Sequence, residues 1–512
     1  MATTIPTPAP AANRGMILAS IMAATVMTAL DTTIANVALP HMAGSVSASA
    51  DQITWVLTSY IITTAIMTPT TGWLAGRFGA KTIFLVSIIG FTLSSALCGA
   101  AQSLSQIVLF RLLQGLFGGT LMPMSQAVIL DTYPLEERGP ALAVWGMGTM
   151  VAPIIGPALG GWLTDNFEWR WVFYINLPIG ALSLVGILMY VKSSRAKEKR
   201  RFDITGFALL SIVLASFQLL LDRGSDNDWF HSSETILEAS IAAVAFLMFL
   251  IHSTLSEHPF IPLDLFKDGN FTASLLFGTL TSVMIFSVLA LLPTMMETLL
   301  GYPVVTTGLL TAPRGVGSLI SMFIAGRIVG KVDTRLILSI GIVLFSIAFF
   351  EMSHFDLQMD SRLILVSGLV QGFGTGLLFM PLSTLAFGTL NPALRGDGAG
   401  VYTLSRSLGQ SIGISAIQAL YTRTVPVVHA RLASAMTPFN PAAKAPYLAA
   451  PYSLTNPVGA AALNGEITRQ ASMVSYIDIF HLMFLTTISM LPFVWLLRSG
   501  KAQGAAVPVM EH

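Results

Sequence analysis

Four charged side chains stand in or at the end of almost wholly apolar stretches: Asp31, Arg111, Glu297 and Arg406. An ionised group in a nonpolar medium is costly, so a chain that keeps one there uses it to move a proton, hold a counter-charge or meet an ion. Asp31 falls midway to the later part of the run Met16–Leu39, where a charge costs about 2.5–3.5 kcal/mol on insertion scales. A carboxyl at that depth can gain and lose a proton, because burial disfavours its charged form and a nearby cation restores it. Its structural alternative is a helix-end cap or a hydrogen bond to Thr32 or Asn36. Arg111 stays protonated and therefore cannot be the carrier; it can keep a carboxylate ionised, attract an anion, or serve in a purely structural ion pair. Glu297 closes an apolar run and faces either a cavity or solvent, and Arg406 stands as a complement in the second half of the chain, structural and functional roles being equally open. Arg314, beside Pro313, reads as a side chain that snorkels to an interface. Asn36, Trp55, Tyr60 and Gln126 supply amide and aromatic groups suited to binding small hydrophobic substrates near a midplane.

The elements that must position these groups follow from composition. Of 512 residues 54% are hydrophobic and 10% charged, against about 25% charged in a soluble domain. The expected class is an all-α polytopic membrane protein in contact with lipid. A net charge of +1 leaves no basic excess for nucleic acid. The single cysteine, Cys98, excludes a disulfide framework and a cysteine-based metal site; no metal and no cofactor is expected. About fourteen runs are long enough to span: Met16–Leu39, Ile53–Ala75, Thr82–Ala101, Ile107–Leu130, Ala141–Leu163, Val172–Val191, Thr205–Leu221, Thr235–Thr254, Phe271–Met296, Thr306–Val329, Leu336–Ser353, Leu363–Leu390, Gly398–Thr422 and Tyr476–Leu497. The first is no cleaved signal: it is too long, contains Asp31 and precedes many other spans.

Most of the 27 Lys and Arg residues fall in alternate connections, including Lys192–Arg201. This bias sets both termini in the cytoplasm. The basic run reads as an anchor against anionic lipid. The eight Trp residues fall near predicted span ends, as interfacial anchors would. Residues 1–13 and 501–512 are expected to be a disordered start and a cytoplasmic tail. Arg423–Ser475, rich in Ala and Pro, is expected to be an extracytoplasmic loop, either flexible or a docking surface.

GWLAGRFGAK (Gly72–Lys81) and GRIVGKVDTR (Gly326–Arg335) share glycines at positions one and five and basic residues at six and ten. Gln114-Gly115 and Met122-Pro123 are echoed at a similar distance by Gln371-Gly372 and Met380-Pro381. Two echoes imply a duplicated six-span unit, residues 14–191 and 271–500, joined by the linker 192–204 and two inserted spans in 205–270. In GMGTMVAPIIGPALGG (Gly146–Gly161), Gly148, Ala152, Gly156 and Gly160 form a stripe that admits a neighbouring helix, while Pro153 and Pro157 suggest a bend. This is a candidate hinge.

LDTTIANVALP (Leu30–Pro40), GWLAGRFGAK, RLLQGLFGG (Arg111–Gly119), GPALGG (Gly156–Gly161) and WRWVFYINLPIG (Trp169–Gly180) stand in one order. In this the chain resembles the drug:proton antiporters of the major facilitator superfamily, in their fourteen-span branch. The resemblance implies a role for Arg111 in proton coupling and conformational roles for Gly72, Gly76, Arg77, Lys81, Asp131, Gly148, Gly156, Pro157, Gly160 and Gly161. It further implies a Gram-negative bacterial inner membrane, export of hydrophobic and often weakly acidic toxic compounds driven by protons, and assembly with a periplasmic adaptor protein and an outer-membrane channel. One departure is Gly76, where the family's loop motif usually carries an acid; Arg77 can still pair with Asp131. Export of one specific metabolite is the alternative within the family. A membrane enzyme lacks support, since no HExxH, GxSxG or CxxC occurs, and a channel fits poorly with duplicated halves and a hinge.

Overall fold

The computed structural model describes residues 11–191, 201–437, 439–440, 452–453 and 456–497. The expectations for 1–10, the basic run at 192–200, most of 441–455 and the tail lie outside these. In lipid a backbone must satisfy its own hydrogen bonds, and among the described residues every regular element is helical. The first half contains α1 (Ala11–Ser45), the short α2 (Ala50–Ile53), α3 (Trp55–Met67), α4 (Thr71–Phe78), α5 (Ala80–Ala100), α6 (Leu104–Gly118), α7 (Leu121–Thr132), α8 (Leu135–Asn166), the one-turn α9 (Trp171–Tyr174) and α10 (Asn176–Tyr190). The inserted pair is α11 (Ile204–Arg223) and α12 (Ser233–Leu255). The second half comprises α13 (Gly269–Thr298), α14 (Val304–Ile328), α15 (Thr334–Met352), α16 (Ser361–Gly388), α17 (Arg395–Ala435) and α18 (Pro457–Ser489). Ser103, Asp203, Asp268, Asp333 and Asp360 cap helix starts through their side-chain oxygens.

Twelve of these helical segments are each long and apolar enough to cross a membrane. The two expected spans outside that set are helical as well. Ile53–Ala75 is built from α3 and α4 around a 3-10 turn at Thr68–Thr70, where Pro69 supplies no backbone donor. Gly398–Thr422 lies in α17, whose Arg406 and hydroxyl side chains lower its hydropathy. The expected loop Arg423–Ser475 is corrected: α17 continues to Ala435 and α18 starts at Pro457, and His429 Nε2 lies 3.1 Å from Asn464 Oδ1 between the two arms. Alanine-rich sequence with few breakers explains the helix.

Close backbone approach organises the packing. A Cβ placed on Gly148, Gly156 or Gly160 would come within 2.7 Å of Met22 Cε, 2.1 Å of Thr33 Oγ1 or 3.1 Å of Ile34 Cγ2, so the small stripe of α8 receives α1. α8 remains one continuous helix through Pro153 and Pro157, and Gly161 lies off the stripe with open space around it. Contacts between the halves gather at the end bearing Arg77 and Lys331. There Gly72 packs against Asp397, Gly400 against the Thr68 carbonyl, Gly326 against Ala143 and Gly146 against Met322. An apolar core runs across this junction from Phe84 and Trp145 to Met322, Phe379 and Tyr402. α11 touches both halves: Thr58 Oγ1 donates to Asp222 Oδ2 (2.8 Å) and Ser415 Oγ to the Leu221 carbonyl (2.7 Å).

Two details differ from the sequence reading. Gly76 and Gly330 match in the repeat, yet Gly76 is helical and the chain turns at Gly79, whereas Gly330 itself takes φ 88°. Trp145 is no interfacial anchor; it is 1% exposed and its Nε1 donates to Thr25 Oγ1 at 3.0 Å.

The stripe yields a paired expectation. Gly156→Leu should force α1 and α8 apart and cost about 1–3 kcal/mol, whereas Gly161→Leu should be nearly silent. Thermal unfolding of purified protein in detergent checks this; equal effects at the two positions would contradict the packing account.

Candidate functional site

Three polar side chains of the first half converge on one carboxylate. Asp31 on α1 is 1% exposed and accepts three hydrogen bonds. Arg111 Nη1 donates to its Oδ2, while Gln114 Nε2 and Asn176 Nδ2 each donate to its Oδ1 at 2.8 Å. Arg111 and Gln114 are three residues apart on α6, so both face the same neighbour. Gly115 lets this face close in, since a Cβ there would lie 2.6 Å from the Tyr60 carbonyl oxygen on α3. The expected partners Thr32 and Asn36 are not the ones used; helix α1 turns Asn36 to an exposed face.

The arginine is held from several sides. Its Nη1 also donates to Gln114 Oε1 at 2.8 Å, and its Nε donates to the Val56 carbonyl at 3.0 Å. Its Cζ sits 4.1 Å from the centroid of the Tyr60 ring, with Phe173 further out at 5.7 Å. Behind Asn176, its Nδ2 reaches Ser95 Oγ at 2.9 Å and Ser95 in turn donates to the Phe173 carbonyl. Cys98 Sγ points at Gln114 Oε1 from 3.6 Å. Arg111 is fully buried, and its Nη2 and the Asn176 Oδ1 have no hydrogen-bond partner among the described residues. A sealed ion pair of this kind holds only while both partners are charged and aligned.

Of the residues singled out by sequence, Asp31, Arg111 and Tyr60 meet here. Gln126 is buried on α7 with Oε1 unpartnered, and Trp55 is exposed at the start of α3. Glu297 is exposed near the end of α13, far along the chain from this knot. Arg406 belongs to the second half, its Cζ 4.0 Å from the centroid of Phe379. Arg77 is exposed at the end of α4, Asp131 is exposed near the end of α7, and Lys81 Nζ donates to the Leu188 carbonyl at 2.8 Å, capping the end of α10. Arg314 does not snorkel: its Nε and Nη2 are sealed and unpartnered. Sequence reasoning missed Gln114, Asn176 and Ser95. Each is a polar residue in an apolar run, and the first two lie within motifs already singled out.

A family model described as the Major Facilitator Superfamily matches residues 21–414. The multidrug export protein EmrB of Escherichia coli (strain K12) is 36% identical over 475 residues, covering 92% of this chain and 93% of that protein. The probable multidrug resistance protein EmrY of the same strain is 33% identical over 505 residues, covering 97% and 98%. Among solved structures, the proton:xylose symporter XylE bound to 6-bromo-6-deoxy-D-glucose superposes with TM-score 0.61 at 14% identity, over 94% of this chain and 96% of that one. At that identity the likeness concerns the fold.

Breaking the pair from one side should cost more than removing it. Asp31→Asn leaves Arg111 buried without a counter-charge and is expected to lose about 3–5 kcal/mol; adding Arg111→Gln should recover part of the loss. A double-mutant cycle by detergent thermal unfolding measures this, and strictly additive losses would mean that the two side chains act independently.

Proposed function

This chain belongs to the major facilitator superfamily, and from that premise we propose that it is a proton-coupled multidrug efflux antiporter of a bacterial inner membrane. The observation that carries the reading is the sealed Asp31–Arg111 pair, an acid and a permanent cation inside a transmembrane bundle. In the reading, substrate enters a cavity between the halves from the cytoplasm or the inner leaflet, and the halves rock about the α8–α14 and α4–α17 contacts. Outside protons then reach Asp31, its pair with Arg111 loosens, and substrate leaves. The proton departs on the cytoplasmic side after the return movement. Coupling needs no direct contact between proton and drug, because both bias the same two-state equilibrium.

Several features support parts of this cycle. The halves meet closely at the end bearing Arg77, Lys331 and Arg395, which the charge bias makes the cytoplasmic end. A conformer closed there suits proton uptake from outside. Names shared by the relatives, multidrug export and multidrug resistance, favour hydrophobic toxic compounds as substrates. A dedicated metabolite remains the second reading within transport. The helical arms of α17 and α18 beyond the expected spans offer a surface for a periplasmic adaptor protein, which would hand substrate to an outer-membrane channel. The energy source is the proton gradient, with no cofactor.

Protein in liposomes with an imposed pH gradient should release protons when a hydrophobic drug is added. Asp31→Asn should still bind drug and release none; equal release from both would remove Asp31 as carrier. Orientation is read by impermeant maleimide on intact cells, the native Cys98 being buried. A cysteine replacing the exposed Phe439 should label at once, and one replacing the exposed Lys267 only after permeabilisation. The reverse pattern would invert the topology.

A further inference from the structure

Two faces of α3 connect the buried ion pair to the inserted helices. Val56 and Tyr60 stand four residues apart and so share a face. That face meets Arg111, whose Nε donates to the Val56 carbonyl at 3.0 Å and whose Cζ lies 4.1 Å from the Tyr60 ring centroid. Thr58, two residues from each, projects from another side of the helix. It is buried, and its Oγ1 donates to Asp222 Oδ2 on α11 at 2.8 Å. Gln218, one turn earlier on α11 and also buried, donates from Nε2 to Asp222 Oδ1 at 2.7 Å. The carboxylate thus binds a neutral hydroxyl and a neutral amide, bonds that its charge strengthens. Trp55–Met67 of α3 and Ser407–Thr422 of α17 contain no acidic or basic residue. Arg223, next along α11, pairs with Glu234 of α12, and Glu238, the other acid of α12, is buried.

The same turn of α11 grips the second half. Leu221 lies in the last turn, where a helix leaves its carbonyls without intrahelical donors, and Ser415 Oγ of α17 donates to that carbonyl at 2.7 Å. Ser415 stands two residues beyond a tight seat on its own half. A Cβ on Gly413 would lie 2.5 Å from the Val283 carbonyl oxygen of α13, and one on Gly409 2.5 Å from that of Thr279. Contacts therefore run without a break from Asp31 to Arg111, to α3, to Asp222 and Leu221 on α11, and to Ser415 in the second half.

We propose that α11 is a coupling element: the state of the Asp31–Arg111 pair reaches the second half through Thr58, Asp222 and Ser415, which act as positioning residues and not as proton carriers. The inference rests on the efflux reading and gives the inserted pair a task in it. While the ion pair is formed, Arg111 holds α3, α3 holds α11 and α11 holds α17. Neutralising Asp31 frees the arginine, the grip on Val56 and Tyr60 relaxes, and the shift of α3 passes on through the two hydrogen bonds.

The test is a pulsed-resonance distance between spin labels on Phe78→Cys and Lys331→Cys, both exposed at the cytoplasmic end, in full-length protein in nanodiscs; the native Cys98 is buried. Acidification should open that end, and infrared difference spectra of the same samples should show the carboxylic band of Asp31. In the parent the open-to-closed ratio should rise about fivefold or more, within the usual range for coupled sites. Thr58→Val and Ser415→Ala should each hold the rise below about twofold while the Asp31 band remains, and Thr58→Ser should keep the parent's response. Combining Thr58→Val with Ser415→Ala should remove no more than either alone, because both lie on one route. No rise in a parent that shows the band, a parent-like rise in either variant, additive losses, or loss of the band together with the rise would each overturn the proposal. A parent without any Asp31 band refutes the antiport reading itself, and this inference with it.

Discussion

The constraint on which the rest of the molecule depends is that a carboxylate and a guanidinium share a space closed to the solvent outside. Asp31 and Arg111 are both sealed, and nearly every polar group around them is committed: Gln114 and Asn176 to the carboxylate, the Val56 carbonyl and the Tyr60 ring to the arginine. In a low-dielectric interior such a pair holds only while both partners are charged and well aligned. That makes it a conditional joint between α1 and α6. Neutralising the acid releases the one strong polar link between those helices, and the neighbouring amides can then rearrange.

Around this joint the helices are fitted by absence of side chain. α6 reaches α3 over Gly115 and Gly119, and α8 reaches α1 over Gly148, Gly156 and Gly160. The halves reach each other over Gly72, Gly326 and Gly400. In lipid there is little hydrophobic drive between helices, so close van der Waals approach and a few hydrogen bonds must hold them. Contacts of that kind can be exchanged for others of similar strength, which suits a protein that must rock. α11 adds a strut at the far end of the bundle, bonded to α3 through Thr58 and to α17 through Ser415. The inserted pair is thus tied to both halves.

Much of this was legible in the sequence, because the bilayer imposes a simple code. Long apolar runs became helices, the duplicated motifs marked two halves, and the lone charges Asp31 and Arg111 marked the site. What was not legible depends on rotation about helix axes. Nothing in the spacing says that Asn176 turns toward Asp31 while Asn36, on the same helix as Asp31, turns away. Matching glycines misled in the loop motif, since the turn is made by Gly79 in one half and Gly330 in the other. Arg314 beside Pro313 looked like a snorkelling residue because sequence shows depth and not direction. The arms at 424–435 and 457–475 read as loop because they are Ala- and Pro-rich and lie outside the long apolar runs, although leaving the membrane does not end a helix and alanine favours one.

The central claim is that Asp31 exchanges its ion pair for a proton during the cycle. Infrared difference spectroscopy on protein reconstituted in lipid reports this directly. On acidification a carboxylic C=O band should appear in the parent and be absent in Asp31→Asn, and adding substrate at constant pH should diminish it. A spectrum without any Asp31-dependent carboxylic band across the working pH range would contradict the account, leaving the Asp31–Arg111 pair as a fixed structural joint.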